Sequence, residues 1–328
     1  MDNLTPGLIG EALGRLFYIL PRHPTQVQIE ITNRCNLDCL MCPRKILGIP
    51  LEHMPFERFE GIIDRLEGVK KVTLTGWGEP FLHPQIYSMI ALCKSKGFYT
   101  QLTTNGTLVE PARIIDSGLD AITFSIDSIK GDETPGHLNQ EVLKKVEELA
   151  GLRKGGRPLI TLQAILHKGR VQDILDVVVF GASAGVDRIN LGRLDPRFKP
   201  VARPSPEEER YMFREADRLG RRLGIQVDII QYAISRGAKR LIYRLIKGAL
   251  HRFGRYCLKT YNYLYVNIQG EVTPCCILPN HAVGDLAKEG LGEIWRGERF
   301  RDFRQNMEKV CGRCDLWKIC YIEQEVEP

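Results

Sequence analysis

From Val27 onward, short runs of β-branched residues alternate with longer segments whose apolar residues recur at helical spacing. In Val27-Gln28-Ile29-Glu30-Ile31-Thr32 every second side chain is apolar, which predicts a strand. The same reading predicts a helix over 56–66, a strand over 71–75, a helix over 86–96, a strand over 99–103 and a helix over 108–117. A strand over 121–126, a helix over 140–152, a strand over 159–165, a helix over 171–184, a strand over 188–191 and a helix over 206–223 follow. Each of these six βα units is long enough for a right-handed crossover between parallel strands. Six such units curve a sheet without closing it as eight would. The expected fold class is therefore α/β: an open, partial (βα)6 barrel with its chemistry on the loops that leave the strands.

Beyond this barrel the pattern changes twice. Over 226–256, Ala238, Leu241, Ile242, Leu245, Ile246, Ala249, Leu250 and Phe253 form a helical stripe, while Arg236, Lys239, Arg240, Arg244, Lys247, Arg252 and Arg255 supply charge without any acid. Packing of that stripe on the barrel is the favoured reading; peripheral contact with a membrane surface and an acidic or phosphorylated substrate are the others. From Cys257 the βα repeat ends and cysteines cluster. The expected organisation is an N-terminal helical segment (1–24), the barrel (25–225), a basic amphipathic connector (226–256) and a small cysteine-rich extension (257–328).

Composition narrows the setting. With 328 residues the chain can form two parts around a large core. Ten cysteines in a secreted protein would read as disulfides, but the N-terminus carries Asp2 and Glu11 without a long apolar run, and no stretch of about 18 apolar residues occurs. A reducing cytoplasm, with cysteines used for metal, is the expectation. The net charge of +6 is too mild to imply nucleic acid, and none is expected as a partner. The histidines form no metal-spaced pair, and neither a phosphate loop nor a serine nucleophile elbow is present.

The chemistry is concentrated in Cys35-Asn36-Leu37-Asp38-Cys39-Leu40-Met41-Cys42-Pro43, on the loop leaving the first strand. Soft thiolates select zinc or iron–sulfur clusters, and CxxxCxxC leaves a four-iron cluster one protein ligand short. A zinc loop and a set of buried thiols are the plainer alternatives. The spacing and its setting resemble the radical S-adenosylmethionine (SAM) superfamily. That resemblance implies a [4Fe-4S] cluster on Cys35, Cys39 and Cys42, with SAM's amino and carboxylate groups at the vacant iron.

Other strand ends extend the resemblance. Thr75-Gly76-Trp77-Gly78-Glu79-Pro80 is similar to the family's GGEP motif with Trp77 in place of the second glycine; Gly76, Trp77, Gly78 and Glu79 are thereby implied in SAM binding, the glycines letting backbone approach the ligand. By the same resemblance Thr104, Asn105, Ser125 and Asp127 line the SAM cleft, and Met41 takes the slot often filled by an aromatic against adenine. Such residues also cap helices and turns. Gln163 and Asn190 are further lining candidates, with inward-facing structural roles as the alternative.

In the extension, Cys257, Gly270 and Cys275 read C-x12-G-x4-C, and Cys311, Cys314 and Cys320 read CxxC-x5-C. This resembles the SPASM and Twitch extensions of radical SAM enzymes, which hold auxiliary iron–sulfur clusters. No cysteine follows Cys320, so one auxiliary [4Fe-4S] cluster is expected, on Cys257, Cys275, Cys311 and Cys314, with Cys320 as an alternative ligand. Cys276 would face away from Cys275 in an extended segment. A structural zinc is the alternative for the whole group. Cys93, in a predicted helix, reads as a buried apolar residue.

The resemblance implies reductive cleavage of SAM to a 5′-deoxyadenosyl radical that abstracts hydrogen from a substrate, fed by an electron donor such as ferredoxin or flavodoxin. An auxiliary cluster fits net oxidation, in peptide or protein maturation or in dehydrogenation of a small molecule: a sugar alcohol, lipid or phosphorylated metabolite. About two dozen residues precede the first strand, too few for a folded leader-peptide domain, which keeps the small-molecule reading close. From another class, an iron–sulfur electron-transfer or scaffold protein would have no need of a SAM cleft.

Overall fold

The computed structural model describes residues 20–49, 51–130, 140–194, 202–229, 257, 259–311 and 314. The segment 1–24 before residue 20, the connector after residue 229, and Cys320 lie outside the described residues. The barrel runs β1 (Gln26–Ile29), α1 (Phe56–Ile63), β2 (Lys71–Leu74), α2 (Ile86–Ser95), β3 (Tyr99–Thr104), α3 (Pro111–Ser117) and β4 (Ala121–Ser125). It continues with α4 (Gln140–Leu152), β5 (Leu159–Leu166), α5 (Val171–Ser183), β6 (Arg188–Arg193), α6 (Pro206–Leu223) and β7 (Gln226–Ile229). All six expected βα units are present. The helix expected from residue 108 begins only at Pro111, whose fixed φ and missing N–H suit the first helical position.

β1 to β7 pair in parallel, each with its neighbour in sequence. Two features extend this sheet beyond the expected six strands. β7 adds to β6, and on the other side β8 (Tyr263–Val266) pairs in parallel with β1, matching Gln28 with Tyr265. β9 (Glu271–Thr273) and β10 (Gly284–Asp285) follow antiparallel, making one ten-stranded sheet in the order β10-β9-β8-β1-β2-β3-β4-β5-β6-β7. The cysteine-rich extension is thus built onto the barrel sheet.

The two faces of the sheet differ as the period of two dictates. Val27, Ile29, Val72, Leu74, Leu102, Ile122, Phe124, Ile160, Leu162, Ile189 and Leu191 are buried in the main core. The alternate positions are polar and half-buried, paired as Gln28–Thr73–Gln101 and Ser125–Gln163–Asn190. A closed barrel fills its interior with branched apolar side chains; here that face carries amides and hydroxyls.

The extension closes over the N-terminal edge with α7 (Leu291–Arg296), α8 (Glu298–Gln305) and α9 (Met307–Cys311). Trp295 is fully buried and its Nε1 donates to the carbonyl of Pro21 at 3.0 Å. The buried Arg304 guanidinium lies 4.3 Å from the Trp295 ring and 3.6 Å from the Phe300 ring, and donates to the carbonyl of Trp295. Cys93 lies fully buried in the core on α2, as its helical position predicts. Among the described residues no helix is long and apolar enough to cross a membrane.

Candidate active site

The cysteine loop leaves β1 and is folded by its own backbone and by its neighbours. Cys42 N–H bonds to the Cys39 carbonyl at 3.1 Å, and Arg44 donates to the Leu37 carbonyl at 3.1 Å. The base of the loop is pinned by segment 52–54: Asn33 and Glu52 exchange hydrogen bonds, Thr32 Oγ1 donates to the Glu52 carbonyl, and Met54 N–H bonds to the Ile31 carbonyl. Leu37 N–H donates to Cys35 Sγ at 3.5 Å, and Asn105 Nδ2 lies 3.9 Å from the same sulfur.

Burial, then the nearby Cys42 and Cys35, pushes the Cys39 thiol up to about 12, and burial raises Cys35 as well. Uncompensated, such a group resists ionisation; a cationic metal centre reverses this and favours the thiolates. Three soft donors with N–H groups aimed at one sulfur fit an iron–sulfur cluster. Among the described residues no three Cys, His, Asp or Glu side chains converge as ligands of a single metal ion.

The turn after β2 is laced onto the same loop. Gly78 N–H bonds to the Thr32 carbonyl at 3.2 Å and Glu79 N–H to the Arg34 carbonyl at 2.8 Å. A Cβ on Gly78 would lie 2.4 Å from the Arg34 carbonyl oxygen, and one on Gly76 would lie 2.2 Å from Glu30 Cγ. Close approach of protein to protein is therefore what demands these glycines. Glu79, 2% exposed, accepts from Thr104 Oγ1 at 2.7 Å, Asn105 N–H at 2.8 Å and Phe81 N–H at 3.1 Å. Its carboxylate, raised by burial, clamps the β2 turn to the end of β3.

The remaining strand ends close the ring of candidates. Asn105 Nδ2 also donates to Asn36 Oδ1 at 3.0 Å, so the end of β3 holds the cysteine loop from below. Thr104 is buried and spends its hydroxyl on Glu79 and on Gly106 N–H. Asp127, buried beyond β4, accepts from Ile165 N–H at 2.8 Å and stands near enough to Cys39 to raise its thiol further. Met41 packs with Cys39 and Leu194 in a small apolar cluster that Ile165 borders, joining the loop to the ends of β5 and β6. Ser125, Gln163 and Asn190 lie side by side across β4, β5 and β6.

Four residues near the site had no motif to mark them. Glu30, buried directly after β1, accepts from Trp77 N–H at 3.1 Å and faces Tyr265; burial raises its carboxyl. Gln28 and Tyr263 are hydrogen-bonded at 2.6 Å. His167, buried at the end of β5, places Nε2 3.7 Å from Asp127 Oδ2. An acid on the polar face of an alternating strand, at a position that turns out buried, is the one signal that singles out Glu30.

In the extension, Cys257 precedes the helical turn Lys259–Asn262, Cys275 follows β9, and Cys311 ends α9, where Cys314 N–H bonds to its carbonyl at 2.7 Å. Thr260 joins these parts, donating to the Cys257 carbonyl at 2.9 Å with its hydroxyl 3.5 Å from the Met307 sulfur. Cys257, Cys311 and Cys314 pack against the main core. The condition for opposing Cys275 and Cys276, an extended segment, is not met: both stand in a turn closed by Leu278 N–H on the Cys275 carbonyl, so strand alternation does not apply. Both thiols, with Cys257, adjoin the buried Tyr263 phenol, which burial foremost and these thiols hold well above its usual range.

Comparison with known proteins gives this geometry its context. A family model described as the Radical SAM superfamily matches residues 29–180, and one described as an iron–sulfur cluster-binding domain, SPASM, matches residues 257–315. The chain is 24% identical over 325 residues to the tungsten-containing aldehyde ferredoxin oxidoreductase cofactor-modifying protein of Pyrococcus furiosus, covering 89% of this chain and 87% of that one. It is 26% identical over 319 residues to a PqqA peptide cyclase of Xanthomonas euvesicatoria, covering 90% and 81%. Its fold matches the crystal structure of Streptococcus suis SuiB bound to the precursor peptide SuiA with a TM-score of 0.71, 16% identity, and coverage of 100% of this chain and 79% of that one. The chain thus carries a radical SAM domain over residues 29–180, the kind of domain that binds SAM with a [4Fe-4S] cluster, and a C-terminal SPASM-type iron–sulfur domain over residues 257–315.

Proposed function

We propose that this protein is a peptide-maturing oxidoreductase. In this reading Cys35, Cys39 and Cys42 hold the SAM-binding cluster, and SAM lies between the Gly76–Gly78 turn and the ends of β3 to β6. When bound, the cluster and SAM supply a 5′-deoxyadenosyl radical, which takes a hydrogen atom from a substrate carbon. The observation that carries the reading is the convergence of the cysteine loop, the glycine turn and Asn105 through direct hydrogen bonds.

The chain's own residues then have separate tasks. Leu37 N–H and Asn105 Nδ2 offset charge on Cys35, while Glu79 fixes the turn that faces SAM. Met41, Leu194 and Ile165 keep the inner side of the loop dry, which protects a radical from water. The polar face offers Gln101, Gln163 and Asn190, whose amides both donate and accept and so suit peptide groups. A peptide substrate is supported by the PqqA peptide cyclase relative. A small-molecule substrate is the second reading, supported by the cofactor-modifying relative of P. furiosus. Net oxidation is supported by the iron–sulfur cluster-binding domain of the extension, whose cysteines would hold a cluster able to accept an electron, on the same sheet. A ferredoxin or flavodoxin serves as donor in this reading, in a reducing cytoplasm.

Anaerobic incubation with dithionite and SAM tests the core of the proposal. The reconstituted protein is expected to release 5′-deoxyadenosine, and Cys35→Ala, Cys39→Ala or Cys42→Ala is expected to abolish it. Release at the wild-type rate by these variants refutes the assignment. Loss of two hydrogens from an offered peptide, read by mass spectrometry, separates the peptide reading from the small-molecule one.

A further inference from the structure

Trp77 stands where the family's motif most often has glycine, and its side chain leaves the turn. The indole Nε1 donates to the carbonyl of Cys276 at 3.1 Å, a residue 199 positions away. That carbonyl belongs to the turn that presents Cys275 and Cys276. A second connection runs beside it. Tyr263, whose phenol lies among the Cys257, Cys275 and Cys276 thiols, donates to Gln28 Oε1 at 2.6 Å, and Gln28 Nε2 donates to the carbonyl of Thr75 at 2.7 Å. Below both, Glu30 accepts from Trp77 N–H and fills the space that a side chain at Gly76 would need.

The three links all start on residues 75–77 and reach β1 or the extension directly. Gly76 and Gly78 leave the turn no slack, because Glu30 and the Arg34 backbone press on it. A displacement at Trp77 is therefore passed to the Cys275–Cys276 turn. Of the three, the indole bond is the one that a glycine at position 77 would remove.

We infer that Trp77 is a positioning residue that couples the two cofactor sites, so that SAM binding and the auxiliary cluster each alter the other's free energy. The inference rests on the placing of SAM at this turn. Coupling between two binding events is reciprocal, and one neutral hydrogen bond supports an effect of about fivefold in an equilibrium constant.

The test uses the full-length, anaerobically reconstituted protein with both clusters. The auxiliary cluster's midpoint potential is measured by EPR redox titration with and without SAM, in the wild type, in Trp77→Phe, which keeps a ring but lacks the N–H, and in Trp77→Gly, the family's common residue. SAM affinity is measured by equilibrium dialysis with and without Cys311→Ala/Cys314→Ala. SAM is expected to shift the auxiliary potential in the wild type and in neither Trp77 variant. Loss of the auxiliary cluster is expected to weaken SAM binding about fivefold in the wild type and to leave it unchanged in the Trp77 backgrounds. An equal shift in wild type and variants, or none in the wild type, overturns the coupling. The EPR signal of the first cluster distinguishes the underlying reading: if SAM leaves that signal unchanged, SAM is not placed beside the cysteine loop and both fall; if it responds while the auxiliary potential does not, only the coupling falls.

Discussion

At the scale of single residues, the glycine-rich turn was legible in the sequence, but the reason for its glycines was not. A motif shows that side chains are forbidden at Gly76 and Gly78; only packing shows that Glu30 and the Arg34 carbonyl forbid them. Gly78→Ala pushes a methyl group into backbone that cannot yield, and the expected cost is about 2 kcal/mol or more. Chemical denaturation of the variant checks this; an unchanged midpoint refutes the rigid contact. Glu30 gives a pH test. Burial raises its carboxyl above the ordinary value in the folded chain, so between the unfolded and folded values the folded state holds a proton that the unfolded state has lost. Its contribution to stability therefore falls as pH rises above about 4.5, and is constant once the folded carboxyl has also ionised. Glu30→Gln is expected to flatten that part of the stability profile. Superimposable profiles of variant and wild type above this pH count against a raised Glu30.

At the scale of elements, the six βα units were legible because each buries one face against a helix layer, and that face writes its period into the sequence. Pro111 shortened a helix that apolar spacing alone started too early. β7 and β8 were not legible, for a different reason. β8 is four residues, Tyr263–Val266, buried on both faces and without alternation, and its partner β1 lies more than two hundred residues earlier. Short strands of that kind are defined by the edge they join. The helices of the extension meet the N-terminal edge through Trp295 on Pro21, while Arg304 stacked on two rings ties them to one another. Trp295→Ala removes a fully buried ring and a hydrogen bond, with an expected loss of about 3–5 kcal/mol. Hydrogen exchange should then rise in β8 as well as in α7 and α8. Loosening confined to α7 shows instead that the extension folds independently of the barrel edge.

At the scale of the whole molecule, a single sheet carries both groups of cysteines, and this sets what each can be asked to do. Among the described residues, barrel residues hold the cysteine loop: Thr32, Asn33, Glu52, Gly78, Glu79 and Asn105 supply contacts. The extension positions the others: Cys257 and Cys275 lie beside Tyr263, and Cys311 ends helix α9, whose Met307 meets Thr260. Removing Cys311 and Cys314 should therefore spare the first cluster, with only the about fivefold weaker SAM binding that the Trp77 coupling entails. The wild type is expected to contain about eight irons per chain, from two four-iron clusters, and the quadruple variant lacking Cys257, Cys275, Cys311 and Cys314 about four. Stoichiometric zinc in anaerobically purified protein, with iron only at the first site, refutes that count. The functional counterpart follows from the same separation: Cys311→Ala/Cys314→Ala is expected to keep releasing 5′-deoxyadenosine from SAM while forming no oxidised product, since the substrate radical then lacks its electron acceptor. The released nucleoside and the substrate's mass are read in one reaction. If the variant remains folded, keeps the first cluster and still oxidises substrate at the wild-type rate, the later cysteines only hold the extension together, and the electron must leave the substrate by another route.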